Sequence, residues 1–250
     1  MLRTLAERLS RGVVLRRRLP ASLGGATLFV SPDAGLRFWR PSLDRADPML
    51  FAWTPELVRQ GHVVWDIGAN VGLFSFSAAA LAGPTGRVLA VEADIFLASL
   101  LRRSAFGQMP GHAPVEVVPV AVSDTVGLAR FAIAARGRCS NYLEAVEGSS
   151  QAGGARDTVT VVTVTLDWLL ERLPAPQVVK MDIEGAELEA LGGATRLLDE
   201  VRPTFLCEIS RKRDEVLKLF AEHRYLLADA DGGPPGRPEL TSGNVIARPR

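Results

Sequence analysis

Four times along this chain a short apolar run closes on, or just before, an acidic residue: residues 62–67 with Asp66, 87–92 with Glu92, 115–122 followed by Ser123 and Asp124, and 178–182 with Asp182. Patterns of helical period lie after most of these runs, at 71–82, 94–105 and beyond residue 184. Strands and helices alternating at this spacing can hardly fold as anything but an α/β domain, a mostly parallel sheet with helices on both faces. In such sheets a ligand sits beyond the carboxyl ends of the strands, where all four acids fall.

The remaining segments fit around that repeat. Residues 26–40 alternate weakly about Pro32, Asp33 and Gly35 and read as a leading hairpin, and 47–60 as a helix. Residues 125–165 hold two strand-like runs around a Gly/Ser-rich loop at 147–157, a hairpin insertion rather than a second domain. A short helix at 167–173, a fifth strand at 204–209, a helix at 213–223 and strands at 225–228 and 244–247 complete the chain. Residues 1–25 read as a basic helical segment ahead of a domain spanning 26–250.

Composition narrows the partners. The chain has 250 residues, 47% hydrophobic and 23% charged, enough for one large core. A formal net charge of +1 gives no bulk electrostatic reason to expect a nucleic acid. Two cysteines, Cys139 and Cys207, make neither a metal-ligand spacing nor a disulfide framework, and point to a reducing, cytoplasmic setting. No run of 18 apolar residues is long enough to cross a membrane. Leu2, Leu5, Leu9 and Val13 share one helical face near Arg11, Arg16, Arg17 and Arg18. They suit either a helix docked on the domain or one lying on an anionic membrane surface.

The loop VVWDIGANVGLF carries Asp66, Gly68, Asn70 and Gly72. Glycine permits left-handed turns and close approach of a ligand, and asparagine tolerates the same backbone region. The dinucleotide fingerprint fits poorly, because its third glycine would fall on Leu73. An acid two residues before the first glycine suits a cationic ligand better than a pyrophosphate. S-adenosylmethionine is cationic at both its ammonium and its sulfonium. Glu92 could accept from ribose hydroxyls, and Asp124 from an adenine amino group.

In VVKMDIEGAE, Lys180, Asp182 and Glu184 fall at alternate positions and so on one face of a strand. Three charges cannot enter a core unpaired. They form a structural ion-pair cluster, line a polar cavity, or do both. Only 3 of the 29 basic residues are lysines, which singles out Lys180. Cys139, Ser140 and Asn141 could touch a substrate or form a plain turn.

These blocks together resemble the FkbM-type methyltransferases. The resemblance rests on VVWDIGANVGLFSF, VEAD, PVAVSD, VTVTLDWLL, VVKMDIEGAELEALGGA, PTFLCEIS and GNVIARPR, and spans roughly residues 26–248. Ala93 stands where the family usually has proline, and His62 where an acid is common. The resemblance implies a Rossmann-like class I fold with seven strands, S-adenosylmethionine as cofactor, and O-methylation of a hydroxyl on a sugar, glycan or natural product. Asp182 and Glu184 are then the candidates to take the acceptor's proton, with Lys180 orienting them. A divalent metal stays open, since two acids without a third ligand do not define a site. The rival readings are a nicotinamide-dependent oxidoreductase and a non-catalytic binding protein.

Overall fold

The computed structural model describes residues 2–146 and 153–250. Residues 147–152 of the expected Gly/Ser-rich loop lie outside them. Seven strands form the main sheet: β3 (Val63–Ile67), β4 (Arg87–Val91), β5 (Val115–Val118), β10 (Val178–Met181), β11 (Thr204–Glu208), β12 (Tyr225–Asp229) and β13 (Asn244–Pro249). Their order is β12-β13-β11-β10-β3-β4-β5. All neighbours run parallel except β13, which is antiparallel to β11 and β12. The chain winds outward from β3 through β4 to β5, then returns to lay β10 on β3's other side. The strand order therefore reverses between β3 and β10, and the crevice opens at their carboxyl ends.

Alternation along the strands feeds two cores. Val64, Val88, Ala90 and Val178 face α2 (Pro48–Leu57), α3 (Leu73–Ala82) and α4 (Ile95–Phe106). Trp65, Ile67, Val91, Val179 and Met181 face α5 (Leu166–Leu170), α6 (Glu187–Gly192) and α7 (Arg213–Glu222). Strands covered on both faces need apolar residues at nearly every position, which is why these runs are continuously hydrophobic. The helix expected after residue 184 is shorter than its pattern suggests. It stops at Gly192-Gly193 and resumes as a π-helical turn over Leu197–Val201.

Three expectations are corrected. Residues 1–25 are not helical throughout: α1 covers Leu2–Leu9, and β1 (Leu15–Arg18) then pairs antiparallel with β2 (Thr27–Val30). The leading hairpin is therefore 15–30 rather than 26–40. It turns at Pro20–Gly25, where Gly24 takes a φ of 85°. Leu36–Trp39 is a 3-10 turn. The third strand does not run to residue 122 either. It ends at Val118, ahead of Pro119, which has no N–H for the ladder.

Beyond that break, β6 (Ala121–Val122) joins a separate four-stranded sheet with β7 (Gly127–Ala134), β8 (Tyr142–Leu143) and β9 (Ala155–Val164), in the order β6-β9-β7-β8. The antiparallel β7–β9 pair is the hairpin expected at 125–165. It stands beside the crevice and supplies one of its walls.

Candidate active site

Of Lys180, Asp182 and Glu184, only Lys180 lies within the strand. Its position in β10 registers with Asp66 in β3, so ammonium and carboxylate share a face on adjacent strands. Lys180 Nζ is 3.3 Å from Asp66 Oδ1 and 3.6 Å from Asp182 Oδ2, and donates to the Gly68 carbonyl at 2.8 Å. Asp66 Oδ1 has no hydrogen bond of good geometry, so its pairing with Lys180 is chiefly Coulombic. Asp66 Oδ2 accepts from Ser75 Oγ at 2.5 Å. Burial works to lower the Lys180 pKa, but Asp66, Asp182 and Glu208 outweigh it and hold the ammonium above its ordinary value. Asp182 follows the strand end, and Glu184 is turned toward the same space by a left-handed backbone with φ 54°. Burial, reinforced by the charges of Asp182, Glu208 and Glu187, pushes the Glu184 carboxyl up to about 8.

Lys180, Asp182 and Glu184 line a cavity of about 1200 Å³, with Arg37 and Asp47 from the segment before α2, and Glu208 and Asn244 from β11 and β13. A second cavity of about 580 Å³ lies beside it over the β3–β4 edge, lined by Gly68, Asn70, Glu92, Val122, Phe131 and Ile183 among others. Asn70, Cys139, Asp182 and Glu184 line both, so the two spaces adjoin at those residues.

The glycine loop shapes the second cavity. Gly68 has φ 79°, and a Cβ there would lie 1.9 Å from the Asp182 carbonyl oxygen. Only glycine lets the ends of β3 and β10 approach this closely. Asn70 sits at φ 53°, and its side-chain Oδ1 is buried without a partner. Glu92 is buried, and its two oxygens accept from the Asn70 and Asp94 amides at 2.7 and 2.8 Å. Burial pushes its carboxyl up to about 7 against those hydrogen bonds. An unpartnered acceptor, a carboxylate and apolar walls from β6 and β7 suit a cationic nucleoside, so the residues present fit S-adenosylmethionine.

The expected cofactor residues divide accordingly. Gly68, Asn70 and Glu92 line the smaller cavity and Asp66 the larger. Gly72 lines neither. It precedes α3, and a Cβ there would meet the Phe76 ring at 2.6 Å, so packing explains this glycine. Asp124 also lines neither cavity. The break at Pro119 carries it to an exposed turn between β6 and β7, where it accepts from Ser123 Oγ. Sequence reasoning missed Glu208, Asn244 and Arg37. Glu208 ends the fifth strand as Asp182 follows the fourth, which was the available signal. Arg37 and Asn244 come from distant segments and carried none.

The turn at 138–141, where Cys139, Ser140 and Asn141 were singled out, does reach the cavities. A buried ionic network holds it. Asp33 receives Arg156 through two bonds, at 2.9 and 2.6 Å, and Arg138 Nε at 2.9 Å. Arg138 also pairs with Asp94, the N-cap of α4, which accepts from Asn141 Nδ2 at 2.8 Å. The network joins the N-terminal arm, α4 and the insertion. Among the described residues, no group of three or more His, Cys, Asp or Glu side chains is arranged to hold a metal ion, and no helix is long and apolar enough to cross a membrane.

The winding of the main sheet, with its antiparallel β13, is that of the S-adenosylmethionine-dependent α/β methyltransferases. The methyltransferase FkbM domain matches residues 66–232, and the chain belongs to that family. The nicotinamide-dependent reading is thereby set aside. The chain is 28% identical over 217 residues to the hexuronic acid methyltransferase AglP of Haloferax volcanii, spanning 83% of this chain and 82% of that one. An FkbM methyltransferase structure from Methylobacillus flagellatus aligns at 16% identity with a TM-score of 0.48, covering 78% of this chain but only 49% of its own. An S-adenosylmethionine-dependent O-methyltransferase from Thermotoga maritima aligns at 14% identity with a TM-score of 0.44, covering 82% and 64%.

Proposed function

We propose that this methyltransferase acts on an oxygen of a sugar, glycan or natural product, with a uronic-acid-bearing sugar as the first candidate. The observation that carries the reading is the adjoining of the two cavities at Asn70, Cys139, Asp182 and Glu184. Gly68, Asn70 and Glu92 would hold S-adenosylmethionine in the smaller space, and the larger would take the acceptor. Bound there, the cofactor supplies an electrophilic methyl group on a sulfonium.

The chain's own groups do the rest. Asp182, at the junction, accepts the acceptor's O–H and then its proton, and Glu184 orients the sugar. Lys180 neutralises Asp66 and holds Asp182 in place. Arg37, at the outer wall, donates to the Ala46 carbonyl at 3.1 Å and lies 3.8 Å from Asp47, and its remaining N–H groups would face an acceptor carboxylate. The AglP relative, a hexuronic acid methyltransferase, supports that choice. The pair of unbridged cysteines supports a reducing, cytoplasmic setting.

Turnover read as S-adenosylhomocysteine release, with methyl glucuronoside, methyl glucoside and a polyketide alcohol as acceptors, tests the proposal. The glucuronoside should lead, and Arg37→Ala should raise its KM about tenfold, the scale of one charged hydrogen bond. Tight S-adenosylmethionine binding without turnover on any acceptor would instead favour the non-catalytic reading.

A membrane-surface contact through the N-terminus belongs to the same proposal. Leu9 is 65% exposed and Trp39 44%. Trp39 donates through Nε1 to Ser10 Oγ, and Arg17 donates to the carbonyls of Trp39 and Arg40. This apolar and basic surface borders Leu36 and Arg37 at the acceptor cavity. Removal of residues 1–18 should abolish sedimentation with anionic vesicles at low salt. A full-length protein that ignores such vesicles would sink the idea.

A further inference from the structure

β10 and β11 are parallel neighbours, with Lys180 opposite Leu206 and Met181 opposite Cys207. Extending that register by one residue sets Asp182 beside Glu208, on the face that carries Lys180. Adjacent strands lie about 4.8 Å apart. Both carboxylates line the acceptor cavity.

The charge balance around them is uneven. Asp66 is fully buried and takes up much of the Lys180 charge at 3.3 Å. Asp182 shares the remainder at 3.6 Å. Asp47 faces Glu208 from the N-cap of α2, Glu187 from the start of α6, Glu184 from the intervening loop and Asn244 from β13. Arg37 at the outer wall is drawn toward Asp47, 3.8 Å away. Two like charges this close, with less than one cation between them, resist full ionisation.

We infer that Asp182 and Glu208 act as a carboxylate pair that keeps one proton between them, a role that rests on the methyltransferase reading of this site. At neutral pH the pair presents one ionised and one protonated oxygen to the acceptor. When the acceptor oxygen is methylated, its O–H bond breaks, the bonding electrons stay on oxygen, and the proton passes to the ionised member. Glu208 is the exposed member, while Asp182 is partly covered, so the surplus proton leaves to solvent through Glu208. The charge of Asp182, first among the causes, pushes the Glu208 carboxyl up to about 7 although it reaches solvent, in keeping with such sharing. A coupled pair titrates in two steps that belong to both residues.

The test is a carboxyl-carbon NMR titration of the ligand-free protein, labelled at Asp Cγ and Glu Cδ, in buffer with EDTA. In the wild type, Glu208 should show two inflections, the upper near neutrality. In Asp182→Asn the upper inflection of Glu208 should vanish and its midpoint fall by at least about one pH unit. A single Glu208 inflection in the ordinary carboxylate range, unmoved by Asp182→Asn, would overturn the pair. Should Asp182→Asn fail to fold, the wild-type Glu208 curve decides. The acceptor reading fails separately: coupled titration without turnover on the glucuronoside counts against that acceptor, and turnover with uncoupled titration counts against the pair.

Discussion

Glu92 and Lys180 each do two things, and their substitutions should show both. Glu92 holds the glycine loop to α4 through two amide bonds as well as facing the cofactor space. Glu92→Ala should weaken S-adenosylmethionine binding by roughly 1.5–3 kcal/mol in isothermal titration. It should also lower the melting temperature, because two N–H groups lose their acceptor. Lys180→Met leaves Asp66 buried without its cation and frees the Gly68 carbonyl, which costs about 3–5 kcal/mol in denaturant unfolding. A much smaller loss would show that water reaches Asp66. Asp182→Asn spares that buried pair and should lose about a hundredfold or more in turnover with little change in cofactor affinity, which stopped-flow and titration separate.

At the scale of elements, the insertion matters because it brings the turn at 138–141 against the crevice. β7 and β9 are held to the domain by Asp33, which two arginines share. Asp33→Ala should therefore act at a distance. Arg156 would stay partly buried without its acceptor and Arg138 would keep only Asp94, destabilising the fold by about 3 kcal/mol or more. Cofactor affinity should drop although Asp33 touches neither cavity, and limited proteolysis should open the segment near residue 138. Unchanged affinity would mean that the insertion holds its position without the network.

For the whole molecule, the acid-rich crevice sets a pH dependence. Burial raises Glu92 and Glu187 to about 7 and Glu184 to about 8, from an ordinary value of 4.5. A carboxyl raised in the folded state contributes stability that is complete below its unfolded pKa and is lost as pH rises through the folded one. The ligand-free protein should therefore melt several degrees lower at pH 8.5 than at pH 5.5. S-adenosylmethionine, a cation, should recover more of the loss at the upper pH. A melting temperature that rises across that window would show that these groups ionise freely in the folded state.

The α/β architecture was legible because strands buried on both faces must be apolar throughout, while the helices between them carry their own period. Gly68, Asn70, Glu92 and the charged end of β10 were legible because a left-handed turn and charges in a buried strand are local requirements. What needed the tertiary structure was mostly non-local. Pro119 breaks a run whose hydrophobicity continues, and with it Asp124 leaves the crevice. Gly72 answers to Phe76 packing rather than to a ligand. The N-terminal arginines alternate into β1 because β2 lies alongside, a partner that no helical wheel reveals. The meeting of Asp66, Lys180, Asp182 and Glu208 depends on strand register and on an order that skips from β3 to β10. Residues more than a hundred positions apart become neighbours there through hydrogen-bond ladders between strands, and a local sequence pattern holds no record of which ladder will form.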